Sequence, residues 1–333
     1  MSKLYKMMFL TLTMTGTLIT ISSSSWTMMW VGLEINLLSI IPLLTNVKNK
    51  MESEAAMKYF ITQALASTIF LFSVITMTKS LVNNNLPSMM TDCAMLTKMG
   101  AAPFHFWFPE VMEGLSWMSS TLMLTWQKIA PMVILLYLPK TTTLVMITIT
   151  SSMMISGLMG INQTSLRKIL AYSSINHIGW MIGAMITNQS IWITYLIIYT
   201  LMTLNITLMF KTKNIFSMSQ LINSMNNSKK IKILFILNFL SLGGLPPFIG
   251  FIPKWMTINE MINANMFAMT TIMILMTLMT LFFYMRITMT SAVMLTTESI
   301  KNNPNPINNS SLMVMNLVVL SSMSLSSITL NLV

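Results

Sequence analysis

Eleven stretches of this chain are close to twenty residues long and almost free of charge. They lie at roughly 5–22, 26–45, 58–78, 88–109, 120–139, 141–161, 169–187, 190–210, 231–263, 267–288 and 311–331. A helix needs about 20 mostly apolar residues to cross the hydrocarbon core of a bilayer. The expected fold is therefore all-α, a polytopic transmembrane helix bundle of about eleven spans. Composition agrees. Charged residues make up 8% of the 333 and hydrophobic residues 54%, whereas a soluble domain carries about 25% charge. Disordered chains are poor in apolar residues, so disorder is excluded as well. The connections, such as 46–51, 162–168 and 211–230, are short and polar. A single membrane domain over residues 1–333 is expected. Lys3 and Lys6 ahead of the first apolar run resemble a secretory leader, but no A-x-A cleavage site follows, and a retained first helix is the expectation.

The formal net charge of +11 reads as topology. With the N-terminus on one side and the chain alternating across eleven spans, fourteen of the nineteen Lys and Arg residues fall on the N-terminal side. Lys79 and Lys140 fall on the other, as the positive-inside rule expects of a correct span count. No basic run is interleaved with aromatics, so nucleic acid is not an expected partner. One cysteine, Cys93, excludes an internal disulfide and any multi-cysteine metal or iron–sulfur site.

Three lysines remain inside spans: Lys98, Lys128 and Lys254. Glu34 sits in the middle of the second span. Each charge at mid-bilayer costs about 2.5–3.5 kcal/mol on insertion scales, so these groups should be paired or hydrated and face the bundle interior. Burial disfavours the charged form of an amine, so a buried lysine can alternate between charged and neutral, and a nearby carboxylate acts as a switch. The bland alternatives are side chains reaching to the interface and static ion pairs that hold helices together. His177 lies on a polar stripe, Tyr172–His177, where a hydrogen-bonded packing role competes with a functional one. His105 is a weaker signal. Asp92 is expected near the interface, and Glu110 and Glu113 at a helix end after Pro109.

Two segments repeat. Residues 100–109 (GAAPFHFWFP) align without gaps on 244–253 (GLPPFIGFIP), sharing G-x-x-P-F-x-x-Φ-Φ-P at an offset of 144. Proline removes a backbone donor and clashes with the preceding turn, so Pro103 and Pro247 should interrupt the fourth and ninth spans. Interrupted backbone at membrane depth is tolerated where it is buried in protein or lines a water-filled cavity. Five spans of separation imply opposite orientations, the pattern of an inverted repeat with discontinuous helices at a transport site. The repeat halves are expected at roughly 1–139 and 141–288, with the span 311–331 added at the end.

Residues 30–38 (WVGLEINLL), 58–67 (KYFITQALAS), 97–111 (TKMGAAPFHFWFPEV), 125–132 (TWQKIAPM), 162–180 (NQTSLRKILAYSSINHIGW) and 241–255 (SLGGLPPFIGFIPKW) resemble the NADH dehydrogenase subunit 2 family of mitochondrial respiratory complex I. The likeness runs in order over most of the chain. It implies an antiporter-like membrane-arm subunit of NADH:ubiquinone oxidoreductase in the mitochondrial inner membrane, with its N-terminus in the matrix. The partners implied are other membrane-arm subunits and membrane lipids. By motif, Glu34 corresponds to the family's glutamate on the second span and Lys98 to its partner lysine on the first broken helix. Lys128 corresponds to the central-axis lysine and Lys254 to the lysine of the second broken helix. His177, Pro103 and Pro247 support them. The expected function is proton translocation: a signal from quinone reduction elsewhere alters the Glu34–Lys98 pairing, then Lys128, and protons leave near Lys254. No G-x-G-x-x-G loop is present, so no cofactor or metal is expected on this chain. NADH, FMN, iron–sulfur clusters and ubiquinone are expected on partner subunits. The forty methionines fit a mitochondrial gene, in which ATA is read as Met. Two other readings stay open here: a cation/proton antiporter subunit, and a structural membrane subunit whose buried charges only pair helices.

Overall fold

The computed structural model describes residues 3–45, 49–79, 85–138, 142–225 and 229–293. The expected span at 311–331, the loop before it and Lys140 lie outside them. The described residues are helical, with an isolated antiparallel bridge between Ser165 and Ser217. The chain divides into two compact units, Met1–Ser152 and the residues from Met153 onward.

The first unit contains α1 (Lys3–Ser22), α2 (Trp26–Leu44), α3 (Lys50–Lys79), α4 (Asn85–Met99), α5 (Trp107–Gly114), α6 (Trp117–Leu124), a 3-10 turn (Trp126–Lys128) and α7 (Ile129–Tyr137). α8 (Thr142–Ile161) runs across the boundary. The second unit continues with α9 (Leu166–Thr187), α10 (Gln189–Lys213), α11 (Met218–Met225), α12 (Lys229–Gly243), α13 (Phe251–Asn263) and α14 (Phe267–Val293). Seven of these helices, α1, α2, α3, α8, α9, α10 and α14, are long and apolar enough to cross a membrane. Ten of the eleven apolar stretches fall on described residues, and each coincides with a helix or an interrupted helix.

Small residues let helices approach closely where no hydrophobic drive separates protein from lipid. Gly16 of α1 and Gly32 of α2 face each other in this way. A Cβ on Gly32 would lie 2.6 Å from Thr20 Cγ2 and 2.9 Å from the Gly16 carbonyl oxygen. The many hydroxyls inside spans satisfy themselves by bonding back one turn, as Thr17 Oγ1 does to the Met14 carbonyl at 2.7 Å. α9 is the core of the second unit: every residue from Ile169 to Met185 is buried, the polar Ser173, Ser174, Asn176 and His177 included.

Two features differ from expectation. The polar connection 211–230 contains α11, whose start is fixed by a capping box: Ser217 Oγ accepts from the Gln220 amide and Gln220 Oε1 accepts from the Ser217 amide. The fifth span is not continuous but breaks at the 3-10 turn. Pro131 explains this, because it offers no N–H to the Gln127 carbonyl and is tolerated only in the first turn of a new helix. Glu110 and Glu113 lie, as expected, in the first and last turns of the short helix α5, after Pro109. Asp92 is buried within α4.

Candidate functional site: buried lysines at three helix interruptions

The two repeat segments build the same local structure. α4 ends at Gly100, at φ +72°, and α12 ends before Gly244, at φ +75°. The Gly100 amide bonds to the Thr97 carbonyl (3.1 Å) and the Ala101 amide to the Leu96 carbonyl (3.0 Å). The equivalent bonds, 144 residues on, run from Gly244 to Ser241 (3.0 Å) and from Leu245 to Leu240 (3.5 Å). Both are Schellman caps, which need a left-handed residue after the helix. Each continuing helix then starts with another matched bond, Phe108 to His105 (2.9 Å) and Ile252 to Ile249 (3.2 Å). Pro109 and Pro253 fall in the first turns of α5 and α13, where a missing N–H is harmless. Pro103 and Pro247 sit in the turns between and are exposed. They shape the backbone between the helix halves.

Each interruption carries one buried lysine. Lys98 is in the last turn of α4 and 7% exposed, Lys128 closes the 3-10 turn and is 3% exposed, and Lys254 is in α13 and 7% exposed. No other Lys or Arg among the described residues is buried. Lys254 Nζ donates to the Gly243 carbonyl at 2.9 Å, at the open C-terminal end of α12, where unsatisfied carbonyls favour a cation. Its ammonium occupies the space beside Gly244, where a Cβ would lie 2.9 Å from Nζ. Lys128 Nζ lies 5.8 Å from the centre of the Phe108 ring, within reach of a cation–π attraction.

Around Lys98 the first unit holds a small polar cavity of about 20 Å³, lined by Leu33, Asn36, Leu37, Tyr59, Gln63, Lys98, Gln127 and Pro131. Asn36 Nδ2 donates to Gln127 Oε1 at 3.1 Å, and Gln127 Nε2 donates back to Asn36 Oδ1 at 2.9 Å. The Tyr59 hydroxyl donates to the same Gln127 Oε1 at 3.3 Å, and Gln63 Nε2 donates to the Lys98 carbonyl at 3.4 Å. Glu34 is half-buried on α2. It makes no ion pair within 4.0 Å with Lys98 in this structure. The exposed Lys58 is ion-paired with Glu54 at 3.2 Å and with Glu110 at 3.0 Å.

In the second unit, His177 is buried. Its Nδ1 is 2.9 Å from the Tyr195 hydroxyl, and its ring lies 5.0 Å from that of Tyr199. Next to it, Asn176 Nδ2 donates to Thr280 Oγ1 at 2.9 Å. The first unit thus brings together Glu34, Lys98 and Lys128, and the second holds His177 and Lys254. Asn36, Tyr59, Gln63 and Gln127 were not among the expected residues. Their only sequence signal is proximity: Asn36 follows Glu34 by two positions and Gln127 precedes Lys128.

The fold and these sites define a polytopic helical membrane protein that holds buried lysines at interrupted helices. A sequence profile for the family described as "NADH:quinone oxidoreductase/Mrp antiporter, TM" matches residues 23–280. Similar curated proteins are NADH-ubiquinone oxidoreductase chain 2 of Anopheles gambiae, 49% identical over 86% of both chains, and of Locusta migratoria, 45% identical over 88% of this chain and 87% of that one. Among solved structures, a chain of respiratory complex I from Thermus thermophilus matches with a TM-score of 0.87 at 22% identity. It covers 99% of this chain and 80% of that one. A chain of the Mrp complex from a Dietzia species matches with a TM-score of 0.79 at 15% identity, over 97% and 75%. The chain belongs to the NADH:quinone oxidoreductase/Mrp antiporter membrane family, and within it to the NADH-ubiquinone oxidoreductase chain 2 group.

Proposed function

We propose that this chain is a core membrane-arm subunit of mitochondrial NADH:ubiquinone oxidoreductase, assembled with the other membrane-arm subunits in the inner membrane. In this reading it couples electron transfer on partner subunits to proton translocation through Glu34, Lys98, Lys128 and Lys254. The observation that supports it best is the coincidence of the three buried lysines with the three helix interruptions. Interrupted helices expose backbone dipoles and admit water at membrane depth, which continuous apolar spans do not.

Glu34 sets the field at Lys98, and a change of charge near Glu34 alters how readily Lys98 holds its proton. Lys98 shares a polar cavity with Gln127, the neighbour of Lys128. Lys254, held against the open end of α12, serves the second unit. Redox chemistry stays with partners that carry NADH, FMN, iron–sulfur clusters and ubiquinone. We also propose that the N-terminus faces the matrix, on the charge distribution, and that the repeat halves at 1–139 and 141–288 are inverted copies.

The test is Lys98→Met and Lys254→Met in the assembled enzyme. Each variant is expected to assemble and oxidise NADH with diminished proton translocation. Full translocation in both would reject these residues as the path. Failure of assembly with normal coupling in the remaining enzyme would favour a purely structural role.

A further inference from the structure

We propose that Gln127 is a positioning residue for proton transfer: its amide, held by Asn36 and Tyr59, orients one water molecule against the Lys98 ammonium. The proposal rests on the proton-path reading above.

The cavity beside Lys98 has about 20 Å³ of space. That is enough for a single water, which needs about 10–15 Å³ and two to four polar partners. The lining supplies those partners. Lys98 lines the cavity, and among the described residues its Nζ makes no hydrogen bond and no ion pair, so its N–H donors are available to a water there. Tyr59 and Gln63 are buried, 3% and 4% exposed, and each has hydrogen-bonding capacity left after its one bond to the cavity wall.

Gln127 ties this cavity to the rest of the machinery. Its Oε1 accepts from both Asn36 and Tyr59 and its Nε2 donates to Asn36. Three bonds from α2 and α3 therefore fix one side chain of the 3-10 turn. The reciprocal Asn36–Gln127 pair holds the two amides against each other, and with Oε1 accepting from Asn36 and Tyr59, the second Nε2–H of Gln127 remains for a water. Asn36 is two residues from Glu34 and Gln127 is adjacent to Lys128, so the same hydrogen-bonded pair couples the helix of the carboxylate to the turn of the second lysine.

The test compares variants in the assembled enzyme, reading protons moved per electron and the amount of assembled complex. Gln127→Leu keeps the volume and removes the bonds, and should lower translocation about tenfold or more while NADH oxidation continues. Tyr59→Phe removes one of the three bonds and should give a smaller loss. The double variant Asn36→Leu with Gln127→Leu removes both amides together. If the pair were only structural, replacing both partners by apolar groups would be nearly neutral, and coupling would return. Persistent loss in the double variant supports a positioning role, and it is read even where Gln127→Leu alone fails to assemble. Normal coupling in Gln127→Leu, or recovery in the double variant, overturns the proposal. Lys98→Met separates the two levels. If it abolishes translocation and Gln127→Leu does not, only this inference fails. If Lys98→Met itself translocates normally, the underlying reading fails.

Discussion

At the scale of single residues, the chain places charge where charge is expensive and then surrounds it with uncharged polar groups. Gly244 shows how tight the fit is. Its φ of +75° puts it where L side chains are strained, and a Cβ there would lie 2.9 Å from both Cδ and Nζ of Lys254. Gly243, one position earlier, is helical, and a Cβ there would meet nothing nearer than 3.7 Å. Gly244→Ala should therefore displace the Lys254 ammonium and cost about 1–2 kcal/mol of backbone strain. Gly243→Ala should be neutral or stabilising by up to about 1 kcal/mol. Heat resistance and proton translocation of the two assembled variants check this, and equal behaviour would contradict it. Glu34, Lys98, Lys128 and Lys254 were legible in the sequence because an ionisable residue in an apolar run stands out. Asn36, Tyr59, Gln63 and Gln127 were not, because uncharged polar residues occur throughout these spans and only the packing separates a cavity wall from a hydroxyl bonding back to its own helix.

At the scale of helices, the repeated motif announced two interruptions, since Gly and Pro act on the backbone directly and leave the same signature at 100–109 and 244–253. The third, at the turn Trp126–Lys128, has no such motif. It depends on one proline, Pro131, whose effect falls four residues upstream, and on the neighbours that accept the broken turn. Pro131→Ala restores an N–H that can bond the Gln127 carbonyl and would favour one continuous helix from α6 to α7. Translocation should fall by about tenfold as Gln127 and Lys128 rotate away from their partners, with assembly retained. An unchanged proton-to-electron ratio in that variant would show that the turn is incidental. α11 escaped notice because eight residues are too few to show a period, and its capping box lies in a stretch that otherwise reads as a polar connection.

At the scale of the whole molecule, orientation and coupling are the open quantities. Helix type and apolar pattern were legible throughout the described residues, because bilayer thickness leaves few alternatives to helices of this length. The placement of the N-terminus rests on the bias of Lys and Arg. A tag at the N-terminus should stay protected from protease in mitochondria stripped of their outer membrane, and digestion there would reverse the assignment. The central claim is that protons move through buried lysines of this chain. The most direct measurement is the number of protons translocated per electron by a fully assembled Lys128→Met enzyme. Lys128 is 3% exposed, close to Phe108 and next to Gln127, and methionine keeps its length without its charge. A ratio well below that of the unaltered enzyme, with NADH oxidation continuing, is the predicted result. An unchanged ratio in the fully assembled enzyme would contradict it.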